Sequence, residues 1–308
     1  MNNRYRTRVI FFMLACFFLI HSVHGQGGQT CDTTFSYTKA NPRYPAGTGP
    51  QVWIDEAHHN FHTLDGRYCG FAKVLNADGY QLNANREGFD RLNLRLNDIL
   101  VIANALDAGT VSQDWALPNR SAFSSSEIDS LFNWVSHGGR LFLIVDHMPF
   151  PGCAGELASA FGFTFFNGYA EIDNRKNWPS RFSKTSHTLA VHPLTEGIPY
   201  VASFTGSAFR IPEGAIPLLS FGSDHNIMFT ERAGNPNVGV VPTFSAEGFF
   251  QGAIMQVGTG KIAVFGEAAM FSAQTIQTAN GSLHFGLNAS EAPYNANFLL
   301  NIMAWLAE

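Results

Sequence analysis

Ten residues from Ile54 to Thr63, reading IDEAHHNFHT, hold two carboxyls, three histidines and an amide. Such a set can do three kinds of chemistry. His58 and His62, four residues apart, could join Asp55 around a divalent cation, and zinc or iron suits such donors. A carboxylate that orients an imidazole makes a general base, a role open to Asp55 and His58. Polar groups at this point could also simply cap the turn that follows the strand-like run Gln51-Val52-Trp53. The chain has no H-E-x-x-H, and these histidines precede the expected helix, so the stretch is not a self-contained metal motif.

Its meaning depends on the elements that position it. From Val52 the chain alternates strand and helix signals. A strand over Val52–Asp55 leads to a helix with Tyr68, Phe71, Ala72 and Leu75 at helical spacing and Gly79 as its stop. Asp98–Asn104 is a continuous apolar run, as a strand covered on both faces should be. Ser124 and Glu127 form a capping box, and Ile128, Leu131, Phe132 and Val135 then lie on one apolar face. Gly138-Gly139 stops that helix, and the strand Leu141–Val145 ends on Asp146-His147. A short helix is expected over about 155–161, and another core strand runs from Ile262 to Glu267. Phe298 to Leu306 closes the chain as an amphipathic helix. Between about Phe163 and Met255 short apolar pieces alternate with Gly, Pro and Asn, which reads as strands and loops.

The β-α-β alternation predicts an α/β fold: a three-layer, mainly parallel sheet with helices on both faces and an elaborated β-rich edge. In such a sheet ligands bind outside the carboxyl ends of the strands. That rule brings Asp55, His58, Asp146 and His147 to one edge as candidate catalytic residues. Asn60, His62, Asn104 and Glu267 reach the same edge as candidate ligand-binding residues. His59 is assigned to the loop. Nucleophile motifs add nothing: G-x-S-x-G is absent, Gly152-Cys153-Ala154-Gly155 lies too far past its strand to form an elbow, and Gly258-Thr259-Gly260-Lys261 leads to Ile262 where a P-loop needs Ser or Thr.

Composition bounds the rest. Arg4, Arg6 and Arg8, the apolar run Val9–Ile20 and the exit Val23-His24-Gly25 have the order of a signal peptide over residues 1–25, with a poor lipobox before Cys16 as the rival. The expected locale is secreted or periplasmic, with no stable membrane span after cleavage. Residues 26–50 read as a flexible tail and 51–308 as a single domain. Cys31, Cys69 and Cys153 then remain, which allows one disulfide and one free thiol or no pair, Cys31 with Cys69 being the favoured pairing. Charged residues are 14% of the chain, against about 25% in typical soluble domains, while 28 phenylalanines promise an aromatic core. A net charge of -5 without any Lys/Arg cluster excludes nucleic acid as a partner.

Val52–His58, Asp98–Val101, Glu127-Ile128 and His137–Leu141 with Asp146-His147 together resemble an uncharacterised DUF4350-type bacterial family, some of whose members are described as gliding-motility-associated. His192–Gly197 is similar to a segment of the trehalose-utilisation-like proteins. The resemblance implies the class I glutamine amidotransferase-like superfamily and its flavodoxin-like fold. It does not imply glutaminase activity, because Asp146-His147 stand where the elbow cysteine belongs and no His-Glu pair follows. The functional expectation is a polar cleft that binds, and as an enzyme hydrolyses, a small polar ligand such as a carbohydrate. The alternative is a non-catalytic binding or scaffold domain that engages a protein or glycan. A divalent metal is left open.

Overall fold

The computed structural model describes residues 28–91, 93–173, 175–234, 242–279 and 281–308. The signal-peptide reading over 1–25, with Cys16, lies outside the described residues.

The apolar runs become the centre of a nine-stranded sheet. Gln81–Asn85, Gln51–Asp55, Ile99–Ala103, Arg140–Ile144 and Gly260–Phe265 lie side by side in that order, all parallel. Alternate residues of these strands serve two cores. Ile99, Val101 and Ala103 face one cluster with Phe71, Val74 and Leu75 of the helix Cys69–Ala77 and with the closing helix Asn295–Ala307. Leu100 and Ile102 face the other cluster, with Leu131 and Val135 of the helix Ser125–Ser136 and Leu157 of the helix Phe150–Ala160. Burial on both faces is why these strands show no hydrophobic alternation.

The expectation of a three-layer, flavodoxin-like, mainly parallel sheet is overturned. Among the described residues strand makes up 29% and helix, 3-10 turns included, 21%, with five α-helices. Among the described residues nine of the thirteen strand pairings are antiparallel. Phe250–Val257 runs antiparallel to Gly260–Phe265 and carries Ile216–Ser220 and Phe209–Arg210, and three smaller antiparallel sheets flank the large one. The physical reason lies in the connections. A parallel neighbour needs a crossover of a dozen or more residues, usually helical, whereas short links permit only antiparallel neighbours. Between 163 and 255 the apolar pieces are too closely spaced by Gly, Pro and Asn for crossover helices.

The capping box forms as read: Ser124 Oγ accepts from Glu127 N at 3.3 Å, and Glu127 Oε2 accepts from Ser124 N at 2.9 Å. The helix expected over 155–161 begins earlier, at Phe150. No helix among the described residues is long and apolar enough to cross a membrane.

The N-terminal segment lies against the body. Thr30–Cys31 pairs with Ala273–Thr278, Lys73 Nζ donates to the carbonyls of Thr33 and Phe35, and Cys31 and Cys69 form a disulfide across a separation of 38 residues. Cys153 is the buried free thiol. Closing a loop of that length restricts the unfolded chain by about 4 kcal/mol. Replacing Cys31 and Cys69 by serine is therefore expected to lower the thermal midpoint by roughly 10 °C; calorimetry of the oxidised wild type beside the double variant checks it, and an unchanged midpoint would contradict the expectation.

Candidate functional site

Three of the parallel strands end in loops that build two separate arrangements. The first surrounds His58. Its Nδ1 donates to the Asp55 carboxylate at 2.9 Å and its Nε2 lies 3.0 Å from Glu127 Oε1. The ring is held between Phe89 and Phe123, with centroids at 4.5 and 4.7 Å. Asp55 also accepts from Asn85 Nδ2, and Glu127 from Phe89 N and Ser124. Burial opposes charge on His58, but hydrogen bonds and charge from Asp55 and then Glu127 outweigh it, so its pKa is raised. Burial likewise opposes charge on Glu127, yet the Ser124 backbone and His58 hold its carboxyl down at about 2. His58 is an imidazolium between two carboxylates, with every polar atom occupied. It is built to hold a strand end, a loop and a helix start together.

The second arrangement is a cavity of about 420 Å³. Asn104 organises it. The strand Ile99–Ala103 ends there with a left-handed backbone, φ 53°, a conformation asparagine tolerates better than most residues. Its Oδ1 accepts from Asp146 N at 2.9 Å, and its Nδ2 donates to His62 Nδ1 at 3.2 Å. Burial, then the charge of Arg67 and the proximity of His147, push the His62 pKa well below the ordinary histidine value, so His62 is neutral. With Nδ1 accepting, the proton sits on Nε2, and that buried N–H has no acceptor among the described residues. Beside it, Asp146 Oδ1 accepts from His147 N at 2.7 Å and Oδ2 from Ala268 N at 3.3 Å. His147 Nδ1 donates to the Met148 carbonyl at 2.7 Å, which fixes the tautomer and leaves the lone pair on Nε2. The His147 ring is stacked on Tyr169 at 4.2 Å. Burial raises the Tyr169 hydroxyl to about 12, so it stays protonated, and its oxygen accepts from Gly234 N.

The walls are aromatic: Phe61, Trp115, Phe150, Tyr169, Trp178 and Phe204. Thr205 and Gln274 add neutral polar groups, and an ion pair between Asp114 and Arg232, 2.8 Å, stands half-exposed at the mouth. The arrangement can seat a molecule with flat apolar faces and a polar rim, and it offers a carboxylate and an imidazole on one side.

Among solved structures, the N-terminal domain of mmIFT52 is similar over 83% of this chain and 96% of that one, at 13% identity and a TM-score of 0.56. The likeness is one of fold. ThuA-like proteins from Bacteroides uniformis and Parabacteroides merdae also match, at 13% and 9% identity, covering 88% and 84% of this chain and 94% and 90% of theirs, both with a TM-score of 0.44. ThuA-like proteins belong to the class I glutamine amidotransferase-like superfamily. No family model matches the chain, and no curated protein matches it in sequence.

The candidate residues thus divide. Asp146, His147, His62 and Asn104 meet at the cavity. Asp55 and His58 do not line it, so the pairing expected between Asp55/His58 and Asp146/His147 is absent. Asn60 braces the turn, with Oδ1 accepting from His58 N and Nδ2 donating to the Ala103 carbonyl. Glu267 is fully buried behind the cavity, where it accepts from Ala269 N and Met270 N; burial and then Asp146 raise its pKa well above the carboxylate range. For a metal, His58 is already engaged by carboxylates and His62 by Asn104, and no three His, Cys, Asp or Glu side chains among the described residues are grouped to hold one.

Sequence reading missed the aromatic walls. Trp115, Tyr169, Trp178 and Phe204 come from loops and edge strands with no motif, and only the surplus of aromatic residues in a poorly charged chain hinted at them.

Proposed function

We propose that the cavity binds a carbohydrate of about one pyranose ring, in a secreted or periplasmic protein, and that His147 is the base that acts on it. The observation that carries this reading is the pairing of flat aromatic walls with Asp146, His147 and His62 in one concave site. Ligand pockets are mostly apolar with a few placed polar groups that fix orientation. A pyranose has apolar C–H faces for Tyr169 and the tryptophans and hydroxyls for the Asp146 carboxylate. His147, with Nε2 as acceptor, can take a proton from a hydroxyl or a water. At a finer level, the motifs at 52–58 and 137–147 support membership of the DUF4350-type family.

The test is a panel of mono- and disaccharides against the mature chain, read by calorimetry and by tryptophan fluorescence, since Trp115 and Trp178 line the site. A binding sugar is expected to lose about 100-fold in affinity with Asp146→Ala, as a charge-assisted hydrogen bond contributes about 2–3 kcal/mol. Equal affinity in wild type and variant, or no sugar bound at millimolar concentration, overturns the reading. A non-catalytic glycan-binding domain would show the same binding without turnover, and His147→Ala separates the two.

A further inference from the structure

A second group of chemistry-bearing side chains lies behind one wall of the cavity. Ser180 opens the strand Ser180–Ser183, and His225 opens the strand His225–Met228. Ser180 Oγ lies 3.0 Å from His225 Nε2, and His225 Nδ1 lies 2.8 Å from Asp224 Oδ1. Both Ser180 and His225 are buried. This is the order and spacing of a nucleophilic triad: hydroxyl on Nε2, carboxylate on Nδ1. The carboxylate orients the ring and stabilises the imidazolium that forms when the hydroxyl proton moves.

Ser180 faces a side pocket of about 20 Å³, lined also by Glu171, Trp178, Phe204 and Thr205. Trp178, Phe204 and Thr205 line the large cavity as well, so the two share a wall. A space of that size holds about one water- or methyl-sized group. A buried Ser–His pair in a packed core would have no such space beside the serine.

We infer that Ser180, His225 and Asp224 form an ester-hydrolysing centre specific for acetyl groups, and that its substrate is an acetylated sugar whose ring sits in the large cavity. The choice of a sugar rests on the reading of that cavity given above; the triad does not. In the first step Ser180 Oγ attacks the acetyl carbonyl carbon while His225 Nε2 takes the hydroxyl proton. The carbon–oxygen bond to the sugar breaks, and the leaving sugar oxygen receives that proton. Water then attacks the acetyl-serine carbonyl, gives its proton to His225, and the Ser180 oxygen departs with it. The net reaction consumes ester and water and yields alcohol and acetic acid.

Methanesulfonyl fluoride, whose methyl group matches the pocket, is expected to add one sulfonyl group to the wild-type chain with loss of fluoride, mapping to Ser180 by peptide mass. 4-Nitrophenyl acetate is expected to turn over at least about 10-fold faster than the butyrate, and Ser180→Ala and His225→Gln to lower the acetate rate about 100-fold. Absence of a Ser180 adduct on wild type, together with an acetate rate that Ser180→Ala does not change, overturns the triad. The adduct is read on wild type, so a misfolded variant does not decide the result. A Ser180 adduct in a chain that binds no sugar in the panel would keep the triad and overturn the acetylated-sugar assignment. Sugar binding with neither an adduct nor an acetate rate sensitive to Ser180→Ala would keep the reading of the large cavity and overturn the triad.

Discussion

His58→Ala is expected to destabilise the protein by about 3 kcal/mol at pH 6.5, because it leaves the buried Asp55 and the partly buried Glu127 without the cation between them. In a chain of this size that is a fall of roughly 10 °C in thermal midpoint. The effect has a pH signature. The folded-state pKa of His58 is raised above its ordinary value of 6.5, so its contribution is complete below 6.5 and fades as pH rises through the raised value. Glu127 behaves in the opposite sense: its pKa is lowered from 4.5 to about 2, so its contribution is complete above 4.5 and fades as pH falls toward 2. The clamp is therefore strongest between 4.5 and 6.5. Midpoints measured from pH 4 to 9 on wild type and variant should show a gap widest inside that window and narrowing on the alkaline side. A gap that grows steadily with pH would show that His58 is held neutral, and the imidazolium assignment would fail.

Asn104→Ala is expected to damage both stability and the site. The left-handed backbone at 104 costs alanine about 1–2 kcal/mol. The Asp146 N–H loses its acceptor, which costs about 1–3 kcal/mol more in a buried setting. The loop bearing Asp146 and His147 is then no longer tied to the loop bearing His62. Any sugar affinity should drop at least about 10-fold, on the loss of one positioned polar contact. Asn104→Asp separates the two effects. It tolerates the same backbone and still accepts from Asp146 N, so its stability cost comes from the buried carboxylate rather than from the turn. It cannot donate to His62 Nδ1, so His62 must turn its proton to that nitrogen and present a lone pair at Nε2 instead of a donor. Imidazole nitrogen shifts in the NMR spectrum report that change directly. An Asp variant with wild-type shifts at His62 and undiminished binding would remove His62 from the ligand site.

Both arrangements show where local pattern was enough and where it was not. The Ser124/Glu127 capping box, the helix after it, the apolar strands at 99 and 140 and the closing helix depend on neighbours in sequence, and their signals were readable. The rule that parallel strands present ligands at their carboxyl ends brought Asp146, His147, His62 and Asn104 to one edge, where they line the cavity, because it depends only on strand direction. It could not tell them from Asp55, His58 and Glu267, which reach the same edge. That distinction rests on partners remote in the chain: Glu127, 69 residues from His58, occupies the imidazole nitrogen that a ligand or metal would need. The parallel-sheet reading failed beyond residue 163 because pairing direction there is set by short connections, and because short apolar pieces carry no mark of which partner they take.

Sequence by itself determined the buried parallel strands, the capping box that opens the helix at Ser125 and the sheet edge at which the polar residues gather. Only the tertiary structure decided which polar groups satisfy one another and which face open space. Hydrogen-bond saturation turned the first pair of interest, Asp55 and His58, into a structural clamp, and left Asp146, His147 and His62 on the walls of a cavity. It also joined Ser180 to Asp224-His225, which no spacing along the chain could suggest, since their contact exists only after strands of two separate small sheets have packed.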